Sequence, residues 1–522
     1  MARRTRLTPL AKLLLVVAIV GGGYFGLQKA GLLDGLIPSP GNNNGNNEGQ
    51  TEQVETGDLV TDKDDVINIG VVTWGGYAGG QYWNNGFKAN KNSRFYTENG
   101  FAVEFKLLDD FDASRDAFKS GDVDLLWCTI DAFPTEVEGL KEYDPQVVFQ
   151  ADWSRGGDAI VVRRGINSVQ DLKGKTIAVA PMTPSHTFLI WLLESAGLST
   201  KDVKIKEVPS AIDAADAFKG GSVDAAVVWS PDDADCVDKV SGAKVLQNTK
   251  NASHIIADVF IAKKSYIEGN KERLRQLYEG WMKGSAEINS SDEAKRKAAK
   301  ILAAGLNQPE DFCYDAINNV RLTTHGDNLN FFGLNREYTG VTGEALYNKM
   351  KEAYADLGYA PKNVKSYRLV TNTDVVSGAN LNGVAGQEAE GKKTFTKVTK
   401  EDETKEAIST KQVSISFRSA EYKLDENSKY IIDKEFGDIA KAFSNARIRI
   451  EGNTDNVGNP ESNKKLSYLR AQAVAQYLQA EYGFDADRFV IIGNGSDKPV
   501  ADNNTPDGRS QNRRTSFELI AE

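Results

Sequence analysis

Phe118-Lys-Ser-Gly-Asp-Val-Asp-Leu-Leu-Trp127 and, further along, Phe218-Lys-Gly-Gly-Ser-Val-Asp-Ala-Ala-Val-Val-Trp229 are two versions of one phrase. Each reads as the end of a helix, a glycine turn, and an apolar strand that closes on an aromatic residue. Working outward, strands are expected at Ile67–Thr73, Val123–Cys128, Thr176–Ala180, Val203–Val208 and Val223–Trp229, with helices at Ala113–Ser120, His186–Ala196 and Ile212–Lys219 between them. Strands that alternate with helices predict parallel α/β sheets. Repetition of the phrase predicts two lobes built on one plan. Later segments are mostly helical, Lys271–Lys283 and Asp292–Leu306, the second capped by Ser290 or Ser291.

In open α/β sheets ligands settle beyond the carboxyl ends of the strands. That rule selects four loops, Thr73–Tyr77, Cys128–Asp131, Pro181–Thr187 and Trp229–Asp232, as the lining of one cleft. The candidate ligand-contact residues are Trp74, Tyr77, Thr129, Asp131, Thr183, Ser185, Thr187, Trp229 and Asp232. Free backbone N–H groups and hydroxyls at Ser185 and Thr187, where a helix begins, suit an anionic group. The rings of Trp74, Tyr77, Trp127 and Trp229 suit apolar walls or a cation site, and Asp131 and Asp232 favour a ligand with positive character. Plainer roles stand beside these: strand-end tryptophans pack lobes together, Ser185 serves as a helix cap, and His186 caps or faces solvent. The run Gly75-Gly-Tyr-Ala-Gly-Gly80 matches neither dinucleotide nor Walker spacing, so no nucleotide cofactor is expected.

Gly221-Ser-Val-Asp-Ala225 and Asp171-Leu-Lys-Gly-Lys-Thr-Ile-Ala-Val179 resemble the periplasmic solute-binding proteins that serve nitrate, sulfonate and taurine importers, the second stretch matching the start of that family's second lobe. The resemblance covers Val66 to Gly358 and implies a two-lobed domain that closes on a small solute. Thiamine-pyrimidine synthases share the lobe plan, but three scattered His and three scattered Cys offer no catalytic cluster. No catalytic residue, metal or cofactor is therefore expected.

A second signal lies near the far end: Glu451-Gly-Asn-Thr-Asp-Asn-Val-Gly458, Asn463, Leu466-Ser-Tyr-Leu-Arg-Ala471 and Gly508-Arg-Ser-Gln-Asn-Arg-Arg514. Asp455 leaves a strand, and Arg470 sits in an amphipathic helix that returns its guanidinium towards the carboxylate. A carboxylate grips an ammonium, and a guanidinium grips a carboxylate through two parallel hydrogen bonds, so the pair suits a zwitterion. The pattern is similar to the OmpA-like peptidoglycan-binding domain, covering Val413 to Leu519. The resemblance implies that Asp455 and Arg470 hold the diaminopimelate of the wall stem peptide, helped by Asn463 and Arg513. Asn453 departs from the His that many members carry before the Thr-Asp pair. Elements expected here are strands Val413–Phe417, Arg447–Glu451, Arg488–Ile492 and Thr515–Leu519, with helices Glu426–Phe443 and Glu461–Tyr482.

At 522 residues the chain exceeds one hydrophobic core, and a formal charge of -10 argues against nucleic acid as a partner. Cys128, Cys236 and Cys313 are too scattered for a disulfide framework or zinc site and read as buried apolar side chains. Leu13–Leu27 carries no charged residue, and with its apolar flanks nears the roughly 20 residues of a membrane helix. Arg3, Arg4, Arg6 and Lys12 precede it, which places the tail in the cytoplasm and the rest outside. A cleaved signal peptide is the rival, though no A-x-A-like site follows. The expected organisation is a cytoplasmic tip and anchor over 1–37, a flexible linker over 38–65, the two-lobed α/β domain over 66–374, a second linker over 375–412 kept extended by its charges, and an α+β domain over 413–522. The chain is thus expected to be a single-pass inner-membrane protein whose bulk is periplasmic. Its expected partners are peptidoglycan, a small solute, and a membrane transporter or motor-like complex; the alternative is a structural or signalling tether without transport.

Overall fold

The computed structural model describes residues 59–60, 66–415, 417–418 and 421–522. The expected membrane segment Leu13–Leu27 lies outside the described residues; among those described, no helix is long and apolar enough to cross a membrane.

The strands in chain order are β1 (Val66–Val71), β2 (Ala102–Leu107), β3 (Leu125–Thr129), β4 (Pro145–Ser154), β5 (Asp158–Val162), β6 (Thr176–Val179), β7 (Lys204–Glu207), β8 (Ala225–Trp229), β9 (Lys244–Asn248), β10 (Ala257–Lys263), β11 (Val320–Leu322), β12 (Ser409–Val413), β13 (Arg447–Asn453), β14 (Phe489–Gly495) and β15 (Thr515–Ile520). They form three sheets. The first lobe has the order β11-β4-β10-β3-β1-β2, the second β7-β6-β8-β5-β9, and the C-terminal domain β12-β15-β13-β14. In each lobe the expected strands are parallel neighbours, β1-β3 in one and β7-β6-β8 in the other, and β2, which was not expected, adds to the first as a further parallel strand. Each lobe also holds antiparallel strands that the helix–strand alternation did not announce: β10, β4 and β11 in the first, β5 and β9 in the second.

The repeated phrase does the same job twice. Phe111–Ser120 and Ala211–Lys219 are helices, and Gly121 and Gly221 turn the chain at φ +87° and +80°, a region that disfavours other residues. The aspartate before each strand then pins the parallel neighbour. Asp124 accepts a hydrogen bond from the Asn68 amide at 2.8 Å, and Asp224 accepts one from the Thr176 amide at 2.9 Å. Their own amides donate to the carbonyls of the same partners, Asn68 and Thr176. Asp224→Ala leaves the Thr176 amide without that acceptor, and is expected to lower stability by about 1–2 kcal/mol in urea unfolding; an unchanged midpoint would show the clasp to be idle.

The chain passes between lobes through Ser154–Asp158 and again through Asn248–Ala257. The helix Gly343–Leu357 touches both lobes. Tyr347 lies against Phe133 of the first at 6.5 Å between ring centroids, and the Tyr354 hydroxyl meets Thr187 Oγ1 of the second at 2.8 Å.

The C-terminal domain departs from expectation in two places. Its first strand is Ser409–Val413, because that stretch pairs antiparallel with β15 in the register Ser409 with Leu519 and Val413 with Thr515. The expected strand Val413–Phe417 is therefore corrected, since Phe417 has left the sheet. The helix expected over Glu426–Phe443 is interrupted by a π-helical turn at Asp433–Gly437, where Asp433 accepts hydrogen bonds from the hydroxyls of both Tyr477 and Tyr482 at 2.6 Å.

The stretch expected to be an extended linker is corrected too, because its side chains are packed. Gln387 donates to the Met282 carbonyl at 3.0 Å and accepts from the His325 amide at 3.0 Å. Glu390 pairs with Arg155 at 2.6 Å, and Phe395 is 8% exposed. Further on, the Val169 amide of the second lobe donates to the Ile408 carbonyl at 3.1 Å. The second crossover also meets the C-terminal domain: the His254 amide donates to the Ala442 carbonyl at 3.1 Å, and Asn445 Nδ2 donates to the Lys250 carbonyl at 2.9 Å. Composition signals solvation of the linker charges, whereas the apolar and amide side chains among them decide the docking. All three cysteines are buried and unbridged, as their apolar reading required.

Candidate functional sites

Between the lobes lies a narrow pocket with a cavity volume of only about 20 Å³. Its lining includes Trp74, Tyr77, Thr129 and Trp229, four of the residues expected from the strand-end rule, together with Trp127. The rest of that expectation scatters. Thr183 spends its hydroxyl on the Ala180 carbonyl at 2.9 Å in the turn that opens the helix Pro184–Ser195. Ser185 is fully buried in that helix, with no partner for its hydroxyl, while Thr187 is bonded to Tyr354. Asp131 is buried beneath the cleft and accepts weakly from the Ala257 amide at 3.4 Å. Asp232 is corrected: it is half-buried at the start of the helix Asp232–Lys239, among Lys219, Asp216 and Asp235, and is not part of the cavity lining.

The acids that do meet at the cleft come from the antiparallel strands. Asp258 of β10 lies opposite Asp152 of β4 and Thr129 of β3, and Asp158 of β5 lies opposite Trp229 of β8. Trp74 Nε1 donates to Asp152 Oδ2 at 3.0 Å, the Tyr77 hydroxyl to Asp258 Oδ1 at 2.8 Å, and the Ser154 hydroxyl to Asp158 Oδ2 at 2.7 Å. Asp152 is fully buried, and Asp158 and Asp258 are 2% and 4% exposed. Loss of hydration drives these carboxyls towards their neutral forms: burial pushes Asp131 and Asp158 up to about 7 and Asp152 up to about 8. Asp258 is raised as well, by burial and by the adjacent Asp152. Backbone without side chains makes room for this arrangement. A β-carbon on Gly76 would run into the Asp152 carboxylate, and one on Gly157 into the Trp74 ring.

In the C-terminal domain the four expected residues gather around one loop. Asp455 follows β13; its Oδ1 accepts from the Val457 amide at 3.0 Å, and its Oδ2 pairs with Arg513 at 2.7 Å. Asn463, in the first turns of the helix Pro460–Tyr482, donates to the Val457 carbonyl at 3.0 Å and so braces the same loop. That helix reaches the sheet because Gly452 and Gly493 carry no side chain: a β-carbon on either would strike the helix backbone at Ser467 or Lys464. Arg470 on the helix does not pair with Asp455. It donates to the Glu421 carbonyl at 3.1 Å and lies over the Phe417 ring, 4.9 Å from its centroid. Burial and the nearby Arg513 hold its pKa below the usual arginine value, and Asp455 offsets them in part. Asn453, where the similar domains often carry His, is buried and accepts from Asn494 Nδ2 at 3.1 Å.

Comparison with known proteins assigns both halves. A family model described as OmpA family matches residues 416–513, and one described as NMT1/THI5 like matches residues 86–294. The chain carries an OmpA-like domain at its C-terminus and an NMT1/THI5-like, two-lobed periplasmic-binding domain before it. Outer membrane porin F of Pseudomonas aeruginosa is 40% identical over 111 residues, 21% of this chain and 31% of the porin. The peptidoglycan-binding protein ArfA of Mycobacterium tuberculosis is 45% identical over 85 residues, 16% of this chain and 26% of that protein. The chain thus spans less than a third of the length of these two relatives. Among solved structures, the periplasmic aliphatic sulphonate binding protein SsuA of Escherichia coli covers 64% of this chain and 97% of its own, at 18% identity and a TM-score of 0.48.

Proposed function

We propose that this chain is a cell-envelope binding protein that holds peptidoglycan with its C-terminal domain and a small solute between its lobes. The observation that carries the reading is the gathering of Asp455, Asn463, Arg470 and Arg513 around the loop that follows β13. An acid and two guanidinium groups there match the ammonium and carboxylate of a zwitterion such as the diaminopimelate of a stem peptide. A relative named as peptidoglycan-binding, 45% identical over this part, supports it. The Leu13–Leu27 segment would hold the chain in the inner membrane, with the folded part in the periplasm and an inner-membrane transporter or motor-like complex as its neighbour. Its action is binding, and lobe closure is its conformational step.

Sedimentation with purified peptidoglycan tests the wall site. Wild type is expected in the pellet, and Asp455→Ala or Arg470→Ala in the supernatant, a loss of at least about ten-fold as expected for removing a charge-assisted contact. Each truncation leaves a partner charge unpaired, so circular dichroism must first show both variants folded. Undiminished sedimentation of both would overturn the assignment.

One observation favours a second reading, a structural or signalling tether without transport: the cleft leaves only about 20 Å³ wide enough for water. Solute titration, described next, separates the two.

A further inference from the structure

The walls of the interlobe cavity hold acids and no basic side chain. Asp158 and Asp258 line it, Asp152 stands behind Trp74, and among the described residues no Lys, Arg or His is part of the lining. Arg115, a buried cation that lies over the Trp127 ring at 4.9 Å, is held by Glu136 at 2.6 Å. The helix Pro184–Ser195 begins at the cavity, where Pro184 is part of the lining, and its Thr187 hydroxyl is bonded to that of Tyr354. A ligand entering this space would meet two acids and no basic side chain.

A second observation is independent of the acids. Thr129 is 2% exposed and lines the cavity, yet its hydroxyl has no hydrogen-bond partner. Buried hydroxyls are nearly always satisfied, so this one is available to a polar group of a ligand. Aromatic rings complete the enclosure: Trp74, Tyr77, Trp127 and Trp229. Ring faces attract a cation, and most strongly where water is excluded.

Building on the solute-binding reading above, we propose that the interlobe site takes a small organic cation, an ammonium or guanidinium head group, held by Asp158 and Asp258 against the tryptophan rings. The space as it stands has room for about one water molecule, so the head group enters with the lobes apart. The acid pair supplies the counter-charge that a quaternary or protonated nitrogen requires once it leaves water. Thr129 supplies a polar contact at the rim of the same space.

The test is calorimetric titration of the full chain in detergent with choline, methylammonium and methylguanidinium, each set against an uncharged carbon isostere, and with methanesulfonate and nitrate. At least one cation is expected to bind at least about ten-fold more tightly than its isostere, with both anions silent. Asp158→Asn keeps the side-chain shape and removes the charge; it is expected to weaken that cation at least about ten-fold. Trp229→Leu is expected to weaken the quaternary ligand as well, which keeps the test decisive if the first variant does not fold. Binding of methanesulfonate or nitrate with the cations silent overturns the charge assignment and leaves solute binding standing. Silence towards every probe overturns solute binding itself, and the proposal with it.

Discussion

Replacing Arg488 by alanine is expected to destabilise the C-terminal domain by about 3–5 kcal/mol, a large part of any domain's net stability. Arg488 is 1% exposed, and its guanidinium closes a corner that no other side chain serves in the same way. Nε donates to the Ala446 carbonyl at 3.0 Å, and Nη2 donates to those of Ala440 and Phe443, both at 2.8 Å. These carbonyls lie at the end of the helix Asp438–Ala442 and in the turn into β13, where helical partners run out. Burial lowers the Arg488 pKa to about 9, so the side chain stays charged at neutral pH and its hydrogen bonds remain charge-assisted. Alanine would strand three buried acceptors and leave a void beside Phe484, whose ring centroid lies 4.4 Å from the guanidinium carbon. Urea unfolding should show the midpoint falling sharply. Arg488→Lys should recover only part, because an ammonium cannot spread its donors as a planar fork does. Since the Ala442 carbonyl accepts from the His254 amide of the second crossover, the alanine variant should lose protection of the His254 amide in hydrogen exchange. A midpoint within experimental error of wild type would remove the claim.

The two-lobed domain is expected to lose stability as pH rises from about 6.5 to 8 in the absence of solute, against the usual flat optimum of neutral pH. The sign follows from the buried acids. Asp131 and Asp158 are raised to about 7 and Asp152 to about 8 by burial, and Asp258 is raised by burial and by Asp152. Their stabilising protons are retained below the unfolded values near 4 and are lost as pH climbs through the folded ones. One carboxyl raised from 3.8 to about 7 corresponds to about 4 kcal/mol at 1.36 kcal/mol per unit. His186 and His254 act oppositely, since burial lowers them to about 4 and about 3; their contribution is lost as pH falls below 6.5. Above pH 6.5 the acids are left to dominate. Other ionisable groups around them do not intervene in that window: burial drives Tyr77 and Cys128 upward, and Arg115 is held charged by Glu136. Thermal scans across the interval should show a falling midpoint in wild type and a shallower fall in Asp158→Asn. A flat or rising midpoint would show that the acids are ionised without cost.

The sequence reading reached the residues proposed to hold peptidoglycan more fully than those of the cleft, and the difference is topological. Asp455, Asn463 and Arg470 lie on one loop and the helix that follows it, so local spacing brings them near each other. Arg513 is distant in sequence but emerges beside Asp455, because β15 runs antiparallel to β13. The structure adds what spacing does not contain: Asp455 is already engaged by Arg513, and Arg470 is turned under the segment that includes Phe417 and Glu421.

In the cleft, the rule that ligands sit beyond strand carboxyl ends finds Trp74, Thr129 and Trp229, because β1, β3 and β8 are parallel strands. It passes over Asp158 and Asp258, at the starts of strands that run the other way, and over Asp152, near the carboxyl end of β4, a strand that the sequence reading did not include; it selects Asp232, which the turn after Trp229 carries away from the space. A sequence marks where a parallel strand ends, but an antiparallel strand inserted from elsewhere in the chain presents its opposite end to the same cleft.

By itself, then, the sequence determined the two-lobed plan, through the repeated glycine turn and its strand-pinning aspartate, and the place of Asp455, Asn463 and Arg470 on one loop and helix. Both are short-range relations written in neighbouring residues. Tertiary structure alone decided the charge of the interlobe cavity and the docking of the stretch around Gln387, Glu390 and Phe395. Each depends on partners far apart in the chain, whose approach is set by sheet order and burial and leaves no local periodicity to read.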